Sequence, residues 1–207
     1  NKQINIEFNT NCKFYANNYN QYKTIVIATG FKEMLPNIVG ANQKHVVSIY
    51  DALRSKKTFT NVENVAILVK SELGLKLGIY LATINKNISL IIGNFNFMFN
   101  IPNINLTHYL YLIENLNIKT YLMSHVKKIH EDSIEVVVNS YLKNKNVTAV
   151  ILNSKSKQKY KFTPQIKTID ADIFVYEPNL VSNNKLYYDI VKGGFKGEIY
   201  MIGNALK

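Results

Sequence analysis

Between Val65 and Ala82 the sequence runs VAILVKSELGLKLGIYLA. An apolar strand, a small loop and a helix with an apolar face make the shape of a nucleotide-binding turn. Such a turn usually carries three glycines, which let the backbone fold tightly and approach a pyrophosphate. Here Gly74 alone stands where one of those glycines would. No other stretch offers an obvious chemistry. His45, His108, His125 and His130 are scattered, without HxxxH or HxH spacing, which argues against a metal site. His125 and His130 flank an expected strand and read as surface residues. No serine sits in GxSxG and no lysine in GxxxxGK[ST], so hydrolase and P-loop readings fail. Cys12 is the only cysteine, too few for an internal disulfide, a CxxC pair or a cysteine-built metal cluster. Neither catalytic side chains nor metal ligands are expected, and a reducing, cytoplasmic setting is.

The elements that would position the turn follow from the apolar pattern. INIEF and KFYAN read as short strands broken by NTN and NNYN. YKTIVIATG is a polar lead into a continuous apolar run ending at Gly30, as suits a strand buried in a parallel sheet. HVVSIYDALRSKK predicts a short strand and a short helix near Asp51 to Arg54. VAILV is a buried strand, and Leu73, Leu77, Tyr80, Leu81 and Ile84 form a helical stripe after it. ISLII is another strand, and Leu106, Tyr109, Leu110 and Ile113 mark a second amphipathic helix ending near Asn115 to Asn117. IKTYLM, HVKKIH, SIEVVV, VTAVIL and KYKF follow as a string of strands. DADIFVYEP is one more buried strand, left through Pro178, and GEIYMIGNALK ends in a strand that stops at Gly203-Asn204. This order belongs to a nucleotide-binding α/β unit with a β flap.

Composition sets wider bounds. The 207 residues are 47% hydrophobic and 19% charged, which supports a packed core. No apolar stretch is long enough to span a bilayer, and no basic n-region followed by an apolar h-region is visible, so a secretory signal is not expected. The net charge of +11 invites a nucleic-acid reading, but Arg54 is the only arginine, and bidentate recognition of phosphates and bases favours arginine. The lysines are spread along the chain apart from Lys155, Lys157, Lys159 and Lys161. Nucleic acid is therefore not the expected partner.

Taken in order, four stretches resemble the two-dinucleotide-binding-domain flavoproteins of the pyridine nucleotide-disulfide oxidoreductase type. They look most like the C-terminal half of the 2,4-dienoyl-CoA reductase and trimethylamine dehydrogenase kind. The stretches are YKTIVIATG, with Lys23 where the family commonly has Asp; HVVSIYDALRSKK; VAILVKSELGLKLGIYLA; and EIYMIGN, similar to the strand ending in Gly-Asp at the flavin ribityl chain. The resemblance covers about Ile4 to Asn204. It implies two Rossmann-like units, an NAD(P)-side unit at 62–165, with a β-meander flap, inserted into an FAD-side unit at 1–61 and 166–207. The first βαβ of the FAD side would lie upstream, so the sequence is expected to be a piece of a longer chain.

On that resemblance Ala28, Thr29, Gly30, Gly203 and Asn204 lie by the flavin-side nucleotide, and Lys70, Ser71 and Gly74 line the NAD(P)H pocket. The three glycine positions hold Val69, Ser71 and Gly74, and Lys76 replaces a usual Glu. Valine is poorly suited to a left-handed turn, at about 1–2 kcal/mol. The acid that would accept the adenosine ribose hydroxyls is replaced by Ile92 or Gly93. Asn204 replaces the family's Asp but keeps an acceptor, and asparagine also caps helices. Where the family often has a glycine, a further residue and Pro-Asn, Glu177-Pro178-Asn179 keeps only the last two. The expected function is a segment of a flavin-dependent oxidoreductase passing hydride between NAD(P)H and FAD, with an unidentified electron acceptor. The alternative is a degenerate, inactive scaffold or interaction module of the same fold.

Overall fold

Two six-residue runs, Asn64–Val69 (β4) and Asn87–Ile92 (β5), pair in parallel with Ile67 opposite Leu90. Parallel strands need cover on both faces, and the alternation concealed in these apolar runs supplies it. Val65, Ile67, Val69, Leu90 and Ile92 join one buried cluster, while Ala66 and Ile91 join another on the opposite side. The structure is a computed structural model that describes residues 21–55, 58–142, 146–154 and 160–206, with Ile4, Ile6 and Tyr19. Two compact units emerge, one of 1–34 with 180–207 and one of 35–179.

In the second unit, β4 and β5 are joined by Val46–Ser48 (β3), Ile173–Tyr176 (β10) and Lys119–Leu122 (β6). The sheet order is β3-β10-β4-β5-β6, with every pair parallel. One face carries the helices Ile49–Arg54 (α1), Glu72–Thr83 (α2) and Asn103–Asn115 (α3), whose buried hydrophobic side chains enter the first cluster. Gly74 and Gly78 let α2 lie close on the strands: a Cβ on Gly78 would come within 2.7 Å of Leu90 Cδ2. The other face is covered by an antiparallel sheet of His125–Ile129 (β7), Ser133–Asn139 (β8) and Pro164–Asp170 (β9). Ile134, Val136 and Val138 of β8 point inward there, toward the cluster holding Phe174 and Ala66.

The first unit contains Thr24–Ile27 (β1), Phe31–Met34 (β2), most of Asn179–Ser182 (β11), the helix Lys185–Lys192 (α5) and Glu198–Met201 (β12). β1 and β12 run parallel, Ile27 facing Met201, and β2 pairs with β11.

Several expectations need correction. VTAVIL forms a helix, Val147–Ser154 (α4), because Val150 and Ile151 reach the helix-side core and that burial overrides β-branched propensity. KYKF is not a strand over its described residues 160–163; the strand begins at Pro164. The strands at 46–48 and 173–176 were expected in the flavin-side unit, but both pair within the sheet of the second unit. The helical stripe is displaced: Tyr80 and Ile84 are exposed, and α2 buries Leu75, Leu77, Ile79 and Leu81 between sheet and α3. β1 is parallel as expected but open on one side, with Val26 exposed. INIEF and KFYAN lie almost wholly outside the described residues, as do Lys155, Lys157 and Lys159.

Candidate functional site

The turn after β4 begins where Val69 gives way to Lys70 and Ser71. Ser71 is the N-cap of α2: its hydroxyl accepts from the backbone N–H of Leu73 at 3.2 Å. None of the turn's residues has a positive φ, so Val69 makes the turn without the left-handed strain its type would carry. Gly74 is the third residue of the helix and is buried. These three predicted residues, Lys70, Ser71 and Gly74, are thus brought together at one helix N-terminus.

A fourth residue meets them there. Because β10 is the parallel neighbour of β4, with Tyr176 opposite Leu68, the residue after β10 emerges beside the turn after β4. That residue is Glu177, only 8% exposed. Its Oε1 accepts from the backbone N–H of Lys70 at 3.0 Å and of Ser71 at 3.1 Å. Its Oε2 accepts from the Ser71 hydroxyl at 2.6 Å. On the helix side, a Cβ on Gly74 would come within 2.3 Å of Oε1, so the missing side chain makes room for the carboxylate. Lys70 reaches past it to donate to Asn179 Oδ1 at 2.9 Å. The chain proceeds from β4 to β5 and β6 on one side and carries β10 and β3 on the other, so Glu177 stands in the crevice where the strand order reverses. That is where open α/β sheets hold their ligands.

The sequence had marked 177 as a place where the family's glycine is absent but gave it no role. The signal was present: an acid directly after a fully apolar strand is almost never buried without partners.

Next to the turn, Glu72 accepts from the Tyr109 hydroxyl at 2.7 Å and pairs with Lys76 at 2.9 Å. Tyr109 first and Lys76 second hold the Glu72 carboxyl below its ordinary range, and the same bond raises the Tyr109 hydroxyl. Lys76, which reverses a family charge, is thereby matched by the acid one turn before it. At the end of β5, Ile92 is fully buried, and Gly93 packs against the backbone oxygen of Ser124. Neither offers an acceptor for ribose hydroxyls.

In the first unit the other predicted residues collect at one edge. The backbone N–H of Ile202 donates to the Ile27 oxygen at 2.9 Å, continuing the β1–β12 ladder to its carboxyl ends. Ala28, Thr29 and Gly30 follow one strand, Gly203 and Asn204 the other. Gly30 has φ +71° and Gly203 φ +61°, and a Cβ on either would meet nothing within 4 Å. The Thr29 hydroxyl is engaged, donating to the Asn183 carbonyl, while Asn183 N donates to the Gly30 oxygen at 3.0 Å. Ala28 and Asn204 are exposed. Asn204 lies inside a short 3₁₀ turn, Gly203–Ala205, rather than capping it.

The described residues contain no group of three or more His, Cys, Asp or Glu able to hold a metal. No described helix is long and apolar enough to cross a membrane. A cavity of about 280 Å³ lies between β6 and the antiparallel sheet, lined by Tyr121, Leu122, Ser124, Asn139 and Lys167. It contains none of the predicted residues.

Residues 2–176 match the model of the pyridine nucleotide-disulphide oxidoreductase family, more than half of the chain. The chain belongs to that family. A comparison with curated protein sequences gives no match. Among solved structures, a 2-naphthoyl-CoA reductase in complex with 2-naphthoyl-CoA is similar at 21% identity and TM-score 0.65. That match covers 89% of this chain and 24% of the other. The 6-hydroxypseudooxynicotine amine oxidase of Pseudomonas geniculata N1 is similar at 15% identity and TM-score 0.69, over 94% and 28%. An NAD-dependent persulfide reductase from A. fulgidus is similar at 16% identity and TM-score 0.59, over 89% and 33%. At such identities the likeness is one of fold. The chain spans about a quarter of the length of the first two.

Within this family's fold the two edges fare differently as dinucleotide seats. The β1–β12 edge offers small residues, two glycines opening on free space and exposed polar groups, which fits a nucleotide lying along it. The turn after β4 has its N–H donors already engaged by Glu177 and lacks a ribose acceptor, which does not fit a pyrophosphate.

Proposed function

We propose that this chain is part of a flavin-dependent oxidoreductase, with FAD lying along the carboxyl edge of β1 and β12. Family membership supports a redox role and FAD as the cofactor. The observation that carries the reading is the parallel register of β1 and β12, which brings 28–30 and 203–204 to one edge. On this reading Gly30 and Gly203 let the backbone approach the cofactor, Thr29 is held in position by Asn183, and Asn204 accepts from a cofactor hydroxyl. Bound flavin would accept hydride, and the residues of this chain would bind and orient it. On this reading the unit of 35–179 corresponds to the family's NAD(P) side. The finer likeness to the dienoyl-CoA reductase kind draws support from an acyl-CoA reductase among the similar folds.

A second reading, the inactive scaffold, is favoured by one observation: the engagement of Lys70 and Ser71 by Glu177. The experiment that separates the two is a visible spectrum of the purified full-length protein, followed by anaerobic titration with NADH and NADPH. Bound flavin that bleaches stoichiometrically supports hydride delivery. Flavin that stays oxidised leaves FAD binding without that electron donor, and a protein free of flavin supports the scaffold. Gly203→Val, which puts a β-branched residue at φ +61°, is expected to lower flavin content.

A further inference from the structure

We propose that Glu177 is a built-in occupant of the phosphate seat at the turn after β4, closing the second unit to the pyrophosphate of a dinucleotide. The inference rests on the reading of that unit as the family's pyridine-nucleotide side.

Four observations converge on one carboxylate. First, the donors that a phosphate would use, the backbone N–H groups opening a helix after a parallel strand, are those Glu177 takes: Lys70 N and Ser71 N, both on Oε1. The Ser71 hydroxyl, a side-chain donor that the sequence placed in the pocket, is spent on Oε2. Second, the carboxylate lies where the glycine-lined space should be, since a Cβ at Gly74 would come within 2.3 Å of it. Gly74 therefore still admits a close anionic neighbour, and that neighbour belongs to the chain itself. Third, Glu177 is an acidic side chain buried at 8% exposure, so an entering phosphate meets its carboxylate oxygens as well as occupied donors. Fourth, Lys70, the cation nearest the turn, is turned toward Asn179.

These features account together for changes the sequence left unconnected. Once the seat is filled from within, no glycine is needed at 69 or 71 for a pyrophosphate to approach, and no acceptor is needed after β5 for a ribose. Serine at 71 has a positive role instead, because it caps α2 and holds Oε2 with one hydroxyl.

The test is calorimetric titration of the full-length protein with inorganic pyrophosphate and with ADP-ribose, alongside Glu177→Ala and Glu177→Gln. Alanine frees both N–H groups and the hydroxyl; glutamine keeps the shape but removes the charge and weakens the acceptor. The wild type is expected to bind neither probe measurably. Glu177→Ala should bind pyrophosphate at least about tenfold more tightly than the weakest binding the titration detects, with Glu177→Gln between it and wild type, as freed donors take up charge-assisted bonds. Pyrophosphate should also raise the melting temperature of the alanine variant and leave the wild type unchanged. Micromolar binding of ADP-ribose by the wild type overturns the proposal, as do folded variants that bind no better than wild type. If the alanine variant does not fold, the near-isosteric glutamine variant decides alone: no gain over wild type refutes the idea. Flavin absorbance of the same samples reports on the flavin reading separately, since flavin can be absent with the seat closed, or present with the seat open.

Discussion

Replacing Ser71 with alanine probes the joint between α2 and the end of β10. The change removes two hydrogen bonds at once: the cap on Leu73 N at 3.2 Å and the donation to Glu177 Oε2 at 2.6 Å. Loss of an N-cap costs about 1 kcal/mol. Loss of a charge-assisted donor to a buried carboxylate costs about 1.5–3 kcal/mol. The single substitution should therefore destabilise the fold by roughly 2.5–4 kcal/mol. In a Glu177→Ala background only the cap remains to be lost, and Ser71→Ala should cost about 1 kcal/mol. The double-mutant cycle, measured by urea unfolding followed by circular dichroism, should thus show a coupling of about 1.5–3 kcal/mol. Additive effects, within about 0.5 kcal/mol, would mean that the two side chains do not support one another and that the arrangement described around the turn is wrong.

Gly74→Ala should destabilise the wild type by about 1–3 kcal/mol despite alanine's better helix propensity, because its Cβ falls on Glu177 Oε1. The cost should shrink in the Glu177→Ala background, leaving the milder contact with Val69; equal cost in both backgrounds would place the clash elsewhere. Asp172 accepts from the backbone N–H of Asn64 at 2.8 Å and of Glu63 at 2.9 Å, and these bonds hold its carboxyl below its ordinary value of 3.8. With the folded-state value depressed, its contribution is full above that ordinary value and fades as pH falls through the lower one. Asp172→Asn should accordingly cost about 1 kcal/mol at neutral pH, moderated by solvent, with the gap to wild type closing in acid. Leu90→Ala, at a fully buried position against Gly78, should cost about 3 kcal/mol, and a loss below about 1 kcal/mol would contradict the packing of α2 on β5. Tyr109→Phe should raise the Glu72 titration seen by NMR, since the tyrosine hydroxyl is the main group holding that carboxyl down.

Where the apolar pattern is long or continuous, strands and helices follow from the residues alone. β4, α2, β5, α3 and β10 all follow from local periodicity, whereas the family resemblance places Ser71 and Gly74 at the turn. Periodicity is a property of neighbouring residues, so it survives without knowledge of the fold. It failed at 147–152, where β-branched residues read as a strand but form a helix, because what decides there is the core that Val150 and Ile151 reach. It could not assign β3 and β10 to their sheet, since parallel partners lie far apart in the chain: Ile173 pairs with Val65. The state of the turn after β4 was likewise a matter of tertiary structure. From the sequence the losses at Val69, Ser71 and Ile92 read as erosion of a site, and Glu177, more than a hundred residues from Lys70, had no visible link to them. Only the side-by-side packing of β10 and β4 brings its carboxylate onto those N–H groups, because a hydrogen bond depends on position in space and not on separation along the chain.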